Sequence, residues 1–193
     1  MRKEVFAVGE FYHIYNRGTD KRKIFLDKYD FERFLQSMRE FNALEPIGSI
    51  YENSFVKDQL GSSASKQGKL VNFVTYCLNP NHYHFILRQT EEKGIEKFMQ
   101  RLGTGFTNYF NNKYRRSGVL FQGKFKARRI DSNEYLLHVS AYVNLNDRIH
   151  RLRNSASRSS WEEYVEKQKG ICEKKIILDQ FRSVTEYKAF AES

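Results

Sequence analysis

The chain opens its pattern with Phe11-Tyr12-His13-Ile14-Tyr15-Asn16-Arg17, an aromatic and β-branched run. Gly18 and the polar stretch Thr19-Asp20-Lys21-Arg22-Lys23 close it, which predicts a strand followed by a turn. From Tyr29-Asp30, apolar residues recur as Phe31, Phe34, Leu35, Met38 and Phe41, a helical spacing with one core face. A weaker strand is expected near 48–57. Gly61-Ser62-Ser63-Ala64-Ser65-Lys66-Gln67-Gly68, which has no apolar anchor, reads as a mobile hairpin loop. Leu70 to Leu78 and His82 to Leu87 are strand-like on either side of Asn79-Pro80-Asn81, so an antiparallel hairpin is predicted.

Further along, Ile95, Phe98, Met99, Leu102, Phe106, Tyr109 and Phe110 mark a long helix over 95–114. Gly103 and Gly105 interrupt it, by a kink or by a close approach of backbone to ligand. Residues 117–130 look irregular and basic. Asp131-Ser132-Asn133-Glu134 has a capping-box pattern, and the helix it starts should run through Tyr142 to about Asn146. The remainder is charged, with an apolar cluster at Ile176-Ile177-Leu178 and an aromatic, helix-like end. The expected organisation is one domain over 1–150 with residues 151–193 as an appended helical tail of that domain.

The order strand, helix, strand, strand, helix resembles the front of a split β-α-β unit of the ferredoxin-like type. The fold class expected is therefore α+β, an antiparallel sheet with helices on one face and the other face open to a ligand. A length of 193 residues allows one good core.

Charge narrows the partner. Lys and Arg total 33 against 23 Asp and Glu, a formal +10, and aromatics make up 15% of the chain. Positive charge combined with flat rings suits a polyanion whose bases stack, so nucleic acid leads membrane or acidic protein as partner. Cys77 and Cys172 share no metal-ligand spacing with each other or with a histidine, which indicates neither a zinc site nor a disulfide framework. No apolar run approaches the ~20 residues of a membrane span, and Met1-Arg2-Lys3-Glu4 does not begin a signal peptide, so a cytoplasmic, reduced protein is expected.

On a strand, residues two apart point to the same side, so His82 and His84 present two imidazoles together while Tyr83 points to the core. That makes half of a metal site, although two histidines at this spacing are also a common incidental pattern. Mg²⁺ or Mn²⁺ would want a third side chain together with a phosphate oxygen or water. Between Lys113 and Arg129 lie Lys113, Arg115, Arg116, Lys124, Lys126, Arg128 and Arg129 with no acidic residue, interleaved with Tyr114, Phe121 and Phe125. Such a segment can neutralise phosphates while stacking on unpaired bases, or it is a solvated basic loop.

The chain resembles the HUH (Y1) single-strand DNA transposases of the IS200-like group, and within them the REP-associated tyrosine transposases. Five pieces carry the resemblance in order: His13-Ile14-Tyr15-Asn16-Arg17-Gly18, Asn79-Pro80-Asn81-His82-Tyr83-His84-Phe85, Phe121-Gln122-Gly123-Lys124-Phe125-Lys126, Tyr142-Val143-Asn144-Leu145-Asn146, and Ser159-Ser160-Trp161-Glu162-Glu163-Tyr164. It implies the HUH endonuclease fold and a divalent metal, Mg²⁺ or Mn²⁺, held by His82 and His84 with Asn146 as third ligand. It also implies Tyr142 as the nucleophile that cleaves and rejoins single-stranded or hairpin DNA through a 5′-phosphotyrosine link. Arg17 lies in a shared piece and would face the same groove. Asp147 stands where the family often has a proline, which bears on the end of the helix. On the residues alone, Tyr142 could equally be a half-buried anchor of its helix. A non-catalytic binder of single-stranded or hairpin nucleic acid is the rival reading, and monomer and homodimer both remain open.

Overall fold

The computed structural model describes residues 4–51, 68–149 (Ile149 by its backbone alone), 157–166 and 168–193. Strand β1 spans Phe11–Arg17 and helix α1 spans Lys28–Glu40; β2 (Val71–Asn79) and β3 (His82–Gln89) follow, then helix α2 (Gly94–Lys113) and strand β4 (Lys126–Ile130). These strands and a short β5 (Arg158–Ser159) form one sheet in the order β4-β1-β3-β2-β5. Every neighbouring pair is antiparallel. The first three strands and two helices are the expected front of a ferredoxin-like unit, and β4 completes it.

Local chemistry sets the boundaries. Asp27 accepts a hydrogen bond from the Asp30 backbone N–H at 3.1 Å, and Asp30 accepts from the Asp27 N–H at 3.3 Å. This reciprocal cap starts α1 just ahead of the expected Tyr29. Pro80 and Asn81 make the two-residue turn of the β2–β3 hairpin. Gly18, after β1, is required by packing: a Cβ there would lie 2.3 Å from the Arg22 carbonyl oxygen.

Alternation along β1 and β3 divides the sheet into two chemically different faces. Tyr12, Ile14, Tyr83, Phe85 and Leu87 point to α1 and α2 and are buried with Phe34, Phe98 and Phe106 in one core. Phe34 meets Phe106 edge-on at 4.8 Å between ring centroids, the favoured geometry for aromatic pairs. Helix α2 runs without a break through Gly103 and Gly105. At Gly105 the close approach is to α1, not to a ligand, because a Cβ would fall 2.5 Å from the Phe41 ring; around Gly103 there is open space and we find no packing reason for it.

The two crossover helices thus share one face, as expected, but the opposite face is only half open. Helix α3 (Asn133–Asn144) lies there, burying Leu136, Val139 and Val143 against Val74, Cys77, Ile86 and Ile130. Its cap is Ser132, whose hydroxyl oxygen accepts from the Tyr135 N–H at 3.2 Å, one residue later than the sequence pattern suggested. After α3 come α4 (Asn146–Ile149), α5 (Trp161–Val165), α6 (Lys175–Leu178) and α7 (Val184–Glu192). The tail extends the same second core with Trp161, Tyr164, Ile177 and Tyr187. Ser160 Oγ donates to Asn144 Oδ1 at 2.5 Å, and Asn144 Nδ2 donates to the Tyr187 hydroxyl at 2.8 Å. The end of α3 is thereby tied to the tail.

Three expectations need correction or fall elsewhere. Residues 126–130, read as irregular, form edge strand β4; its lysine and arginines hid the alternation, and charge is what protects an edge strand from pairing with another chain. Residues 50 and 51 are helical, so no strand starts there, and 52–57 lie outside the described residues, as do 61–67 of the expected loop. Helix α3 ends at Asn144 with Leu145 as its cap, so Asn146 begins a separate turn.

Candidate active site

On the half-open face, His82 and His84 of β3 stand beside Tyr15 and His13 of β1, with Tyr15 directly opposite His84 and Arg17 opposite His82 in the register. The two candidate ligand rings are perpendicular, with centroids 5.2 Å apart. Tyr142 projects from α3 over this group, its ring edge-on to His84 at 5.8 Å and to His13 at 6.2 Å. It remains 41% exposed, whereas Asn146 is fully buried.

The break in the helix at Leu145 does not separate Asn146 from the histidines. Its Oδ1 lies 3.3 Å from His82 Nε2 and accepts a 2.7 Å hydrogen bond from Asn79 Nδ2. Asn79 Nδ2 also reaches His82 Nε2 at 2.9 Å, so one amide group bridges the two lone pairs. Asn146 Nδ2 is buried with no hydrogen-bond partner, a cost that polar groups in ordinary cores avoid. Two imidazole nitrogens and the Asn146 amide oxygen fit a divalent ion of borderline character, with Mn²⁺ better matched than Mg²⁺. Among the described residues no three His, Cys, Asp or Glu side chains form a metal cluster. An ion held here would have an amide oxygen as its third protein ligand, with phosphate or water to complete the set.

The outer nitrogens of both rings are engaged. His82 Nδ1 lies 2.6 Å from Asn81 Oδ1, an acceptor, which places the proton on Nδ1 and the lone pair on Nε2. His84 Nδ1 lies 2.9 Å from His13 Nε2. Burial, aided by the positive charge of Arg128, pushes His13 down to about 4, so it is neutral near pH 7.

Sequence reasoning singled out His82, His84, Tyr142 and Asn146 and missed His13, Asn79 and Asn81 as functional residues. The signal for His13 was present in the two-residue alternation His13, Tyr15, Arg17, but its partner lies 71 positions away.

A cleft of about 810 Å³ opens on one side of the histidines, lined by Tyr15, Asn16, Arg17, Lys21, Lys23, Pro80, Asn81, His82, His84, Gln122 and Lys126. A second, about 550 Å³, lies under Tyr142 between Arg128, Tyr135 and His138. Of the expected DNA contacts, Arg17 and Lys126 therefore line the first cleft and Arg128 the second. Gln122 fixes Arg17, whose Nε donates to its side-chain oxygen, while Asn16 Nδ2 donates to the Gly123 carbonyl at 3.2 Å. These contacts bring together two of the sequence pieces. Lys124 is exposed, and Arg115 adopts a left-handed backbone at φ 48°.

The other basic residues are held by protein partners. Arg129 pairs with Glu10 at 2.9 Å, and Arg116 donates to Asn111 Oδ1 at 2.5 Å. The Lys113 amine sits 2.8 Å from Asp27 and 2.7 Å from the fully buried Asp30 carboxylate. Lys113→Met should lower stability by about 1–3 kcal/mol, read by chemical denaturation, because Asp30 loses a charged hydrogen bond. Its salt dependence of DNA binding should stay at the wild-type slope, whereas Arg17→Ala and Lys126→Ala should each flatten that slope by about 0.7–0.9.

The sheet and its helices have the HUH endonuclease fold. Over 86% of this chain and 86% of its own, a solved structure described as the REP-associated tyrosine transposase bound to a REP hairpin superposes with a TM-score of 0.59 at 11% identity. Residues 55–146 match the family described as Transposase IS200 like. The recognition made from the ordered motifs, including the likeness to REP-associated tyrosine transposases, therefore holds. A structure described as a candidate transposase of Deinococcus radiodurans R1 aligns over 74% of this chain and 95% of its own, with 14% identity and a TM-score of 0.41. Comparison with curated proteins gives no match. Among the described residues, no helix is long and apolar enough to cross a membrane.

Proposed function

We propose that the protein is a metal-dependent transposase that cleaves and rejoins single-stranded DNA at hairpin sequences, working in the cytoplasm with Tyr142 as nucleophile. The observation that carries this reading is the placement of Tyr142, exposed and edge-on to His84, above a sheet face on which His82, His84 and Asn146 converge beside a cationic cleft. In the reaction the Tyr142 oxygen forms a bond to the scissile phosphorus, and the bond from phosphorus to the 3′ oxygen breaks. The phenolic proton is lost and the departing oxygen gains one to become a 3′-hydroxyl. The covalent link conserves the energy of the broken bond, so rejoining needs no nucleotide cofactor.

When bound, the divalent ion polarises the phosphate and offsets charge on the leaving oxygen. His82, His84 and Asn146 would hold it. A free tyrosine, with a pKa near ~10, is a weak nucleophile at pH 7, so the enzyme must position it. Packing of Leu136, Val139 and Val143 supplies that position by fixing α3 on the sheet. Arg17, Lys126 and Arg128, with Lys124 and the arginines at 115, 116 and 129 further out, draw the DNA backbone across the site. The structural relative bound to a REP hairpin supports DNA of that shape as the substrate.

The test is incubation of the full chain with Mn²⁺ and a pool of hairpin-bearing single-stranded oligonucleotides. A denaturant-resistant protein–DNA adduct with release of a free 3′-hydroxyl strand is expected. Hairpin binding without any adduct across the pool would overturn the enzyme in favour of a non-catalytic hairpin-binding protein.

A further inference from the structure

We infer that His13 is a positioning residue for the metal site: its Nε2 accepts a hydrogen bond from His84 Nδ1–H and thereby aims the lone pair on His84 Nε2 at the ion. The inference rests on the metal-dependent reading above but concerns a residue that this reading does not use.

Geometry provides the first support. The 2.9 Å contact joins neighbouring strands through a diagonal pair on one sheet face, and the two rings are nearly parallel, with centroids 5.1 Å apart and an interplanar angle of 24°. Both residues sit on paired strands, so the contact is held by the β1–β3 ladder and not by a loop. Tyr15 also stacks on His84 at 5.6 Å and lies 5.1 Å from His13, and Tyr142 meets both histidines edge-on, so three rings crowd the His84 imidazole.

Symmetry of the two ligands provides the second. His82 is held through Nδ1 by Asn81, an acceptor that fixes the Nδ1–H form. His84 can offer Nε2 to the same ion only in that same form, and His13 is the acceptor that would select it. With the proton reversed, so that His13 donates, His84 would carry its hydrogen on Nε2 and could not bind a metal there. Such outer hydrogen bonds raise ligand basicity and set ring orientation, and losing one typically lowers metal affinity ~10–100-fold.

The experiment uses the full chain without DNA and reads two quantities. Mn²⁺ affinity is measured by calorimetry for the wild type, His13→Gln, whose side-chain oxygen can accept, and His13→Leu, which cannot. Nitrogen-15 NMR of the imidazoles then reports which His84 nitrogen carries the proton. Expected are Nδ1–H at His84 in the wild type, a ~10–100-fold weaker Mn²⁺ affinity in His13→Leu, and recovery of most of that loss in His13→Gln at equal thermal stability.

Wild-type affinity in His13→Leu, or Nε2–H at His84 in the wild-type protein, overturns the proposal. An equal loss in both variants also overturns it, since packing would then be the cause. Neither readout involves strand cleavage. A protein that binds Mn²⁺ as described but forms no Tyr142 adduct would refute the proposed activity and leave His13's role standing.

Discussion

Tyr142→Phe is expected to abolish the covalent adduct and to lower strand cleavage by on the order of 10³-fold or more, the scale seen when a nucleophile is removed. The substitution deletes one oxygen and keeps the ring that packs edge-on against His84 and His13. Tyr142 is 41% exposed and belongs to neither buried core, so melting temperature should move little. Hairpin binding should persist because the phosphate-neutralising side chains are untouched. An adduct of wild-type yield in this variant, mapped to another of the chain's tyrosines, would remove the assignment. Tyr15 and Tyr135 would then be the candidates to examine, since each lines a cleft at the site.

His82→Ala should reduce Mn²⁺-dependent cleavage at least ~100-fold, given that even the outer-shell partners of metal ligands are worth ~10–100-fold. Three atoms lose their common partner in this variant, namely Asn79 Nδ2, Asn146 Oδ1 and Asn81 Oδ1. The effect on Mn²⁺ affinity should therefore accompany the effect on rate. Chelation of the metal from the wild-type protein should give the same phenotype, while retention of hairpin DNA on the variant separates chemistry from binding. Cleavage at the wild-type rate by His82→Ala in Mn²⁺ is the result that sinks the ligand assignment.

Much of this arrangement was legible in the chain because β3 has a period of two that serves both faces at once. His82 and His84 alternate with Tyr83 and Phe85, and the Pro80-Asn81 turn sets the register. The helical spacing of α1, α2 and α3 was equally plain. Edge strand β4 was not, since Lys126, Arg128 and Arg129 leave only Ala127 and Ile130 to suggest a buried side. The resemblance named Asn146 as third ligand on a helix expected to reach it, yet the chain breaks at Leu145 and still delivers the amide to His82.

Contacts across long separations were harder still. The partnership of His13 with His84 depends on which strands become neighbours, and the buried amide of Asn79 looks in sequence like an ordinary residue before a turn. Local pattern reports which way a side chain points along its own strand, but the identity of the strand beside it is a property of topology.

The strict alternation of β3 has a consequence for how such a protein can change. Its odd positions, 83, 85 and 87, build one hydrophobic core, and its even positions, 82 and 84, carry the candidate metal ligands. Two messages are interleaved in one strand. Loss or gain of a single residue in the Pro80-Asn81 turn would exchange them, burying imidazoles among phenylalanines and turning aromatic rings toward the candidate site. Point substitutions can therefore retire the chemistry while sparing the fold, whereas a one-residue deletion at the hairpin must forfeit both together. Silent descendants of such a chain should accordingly keep their hairpin length long after they have lost a histidine.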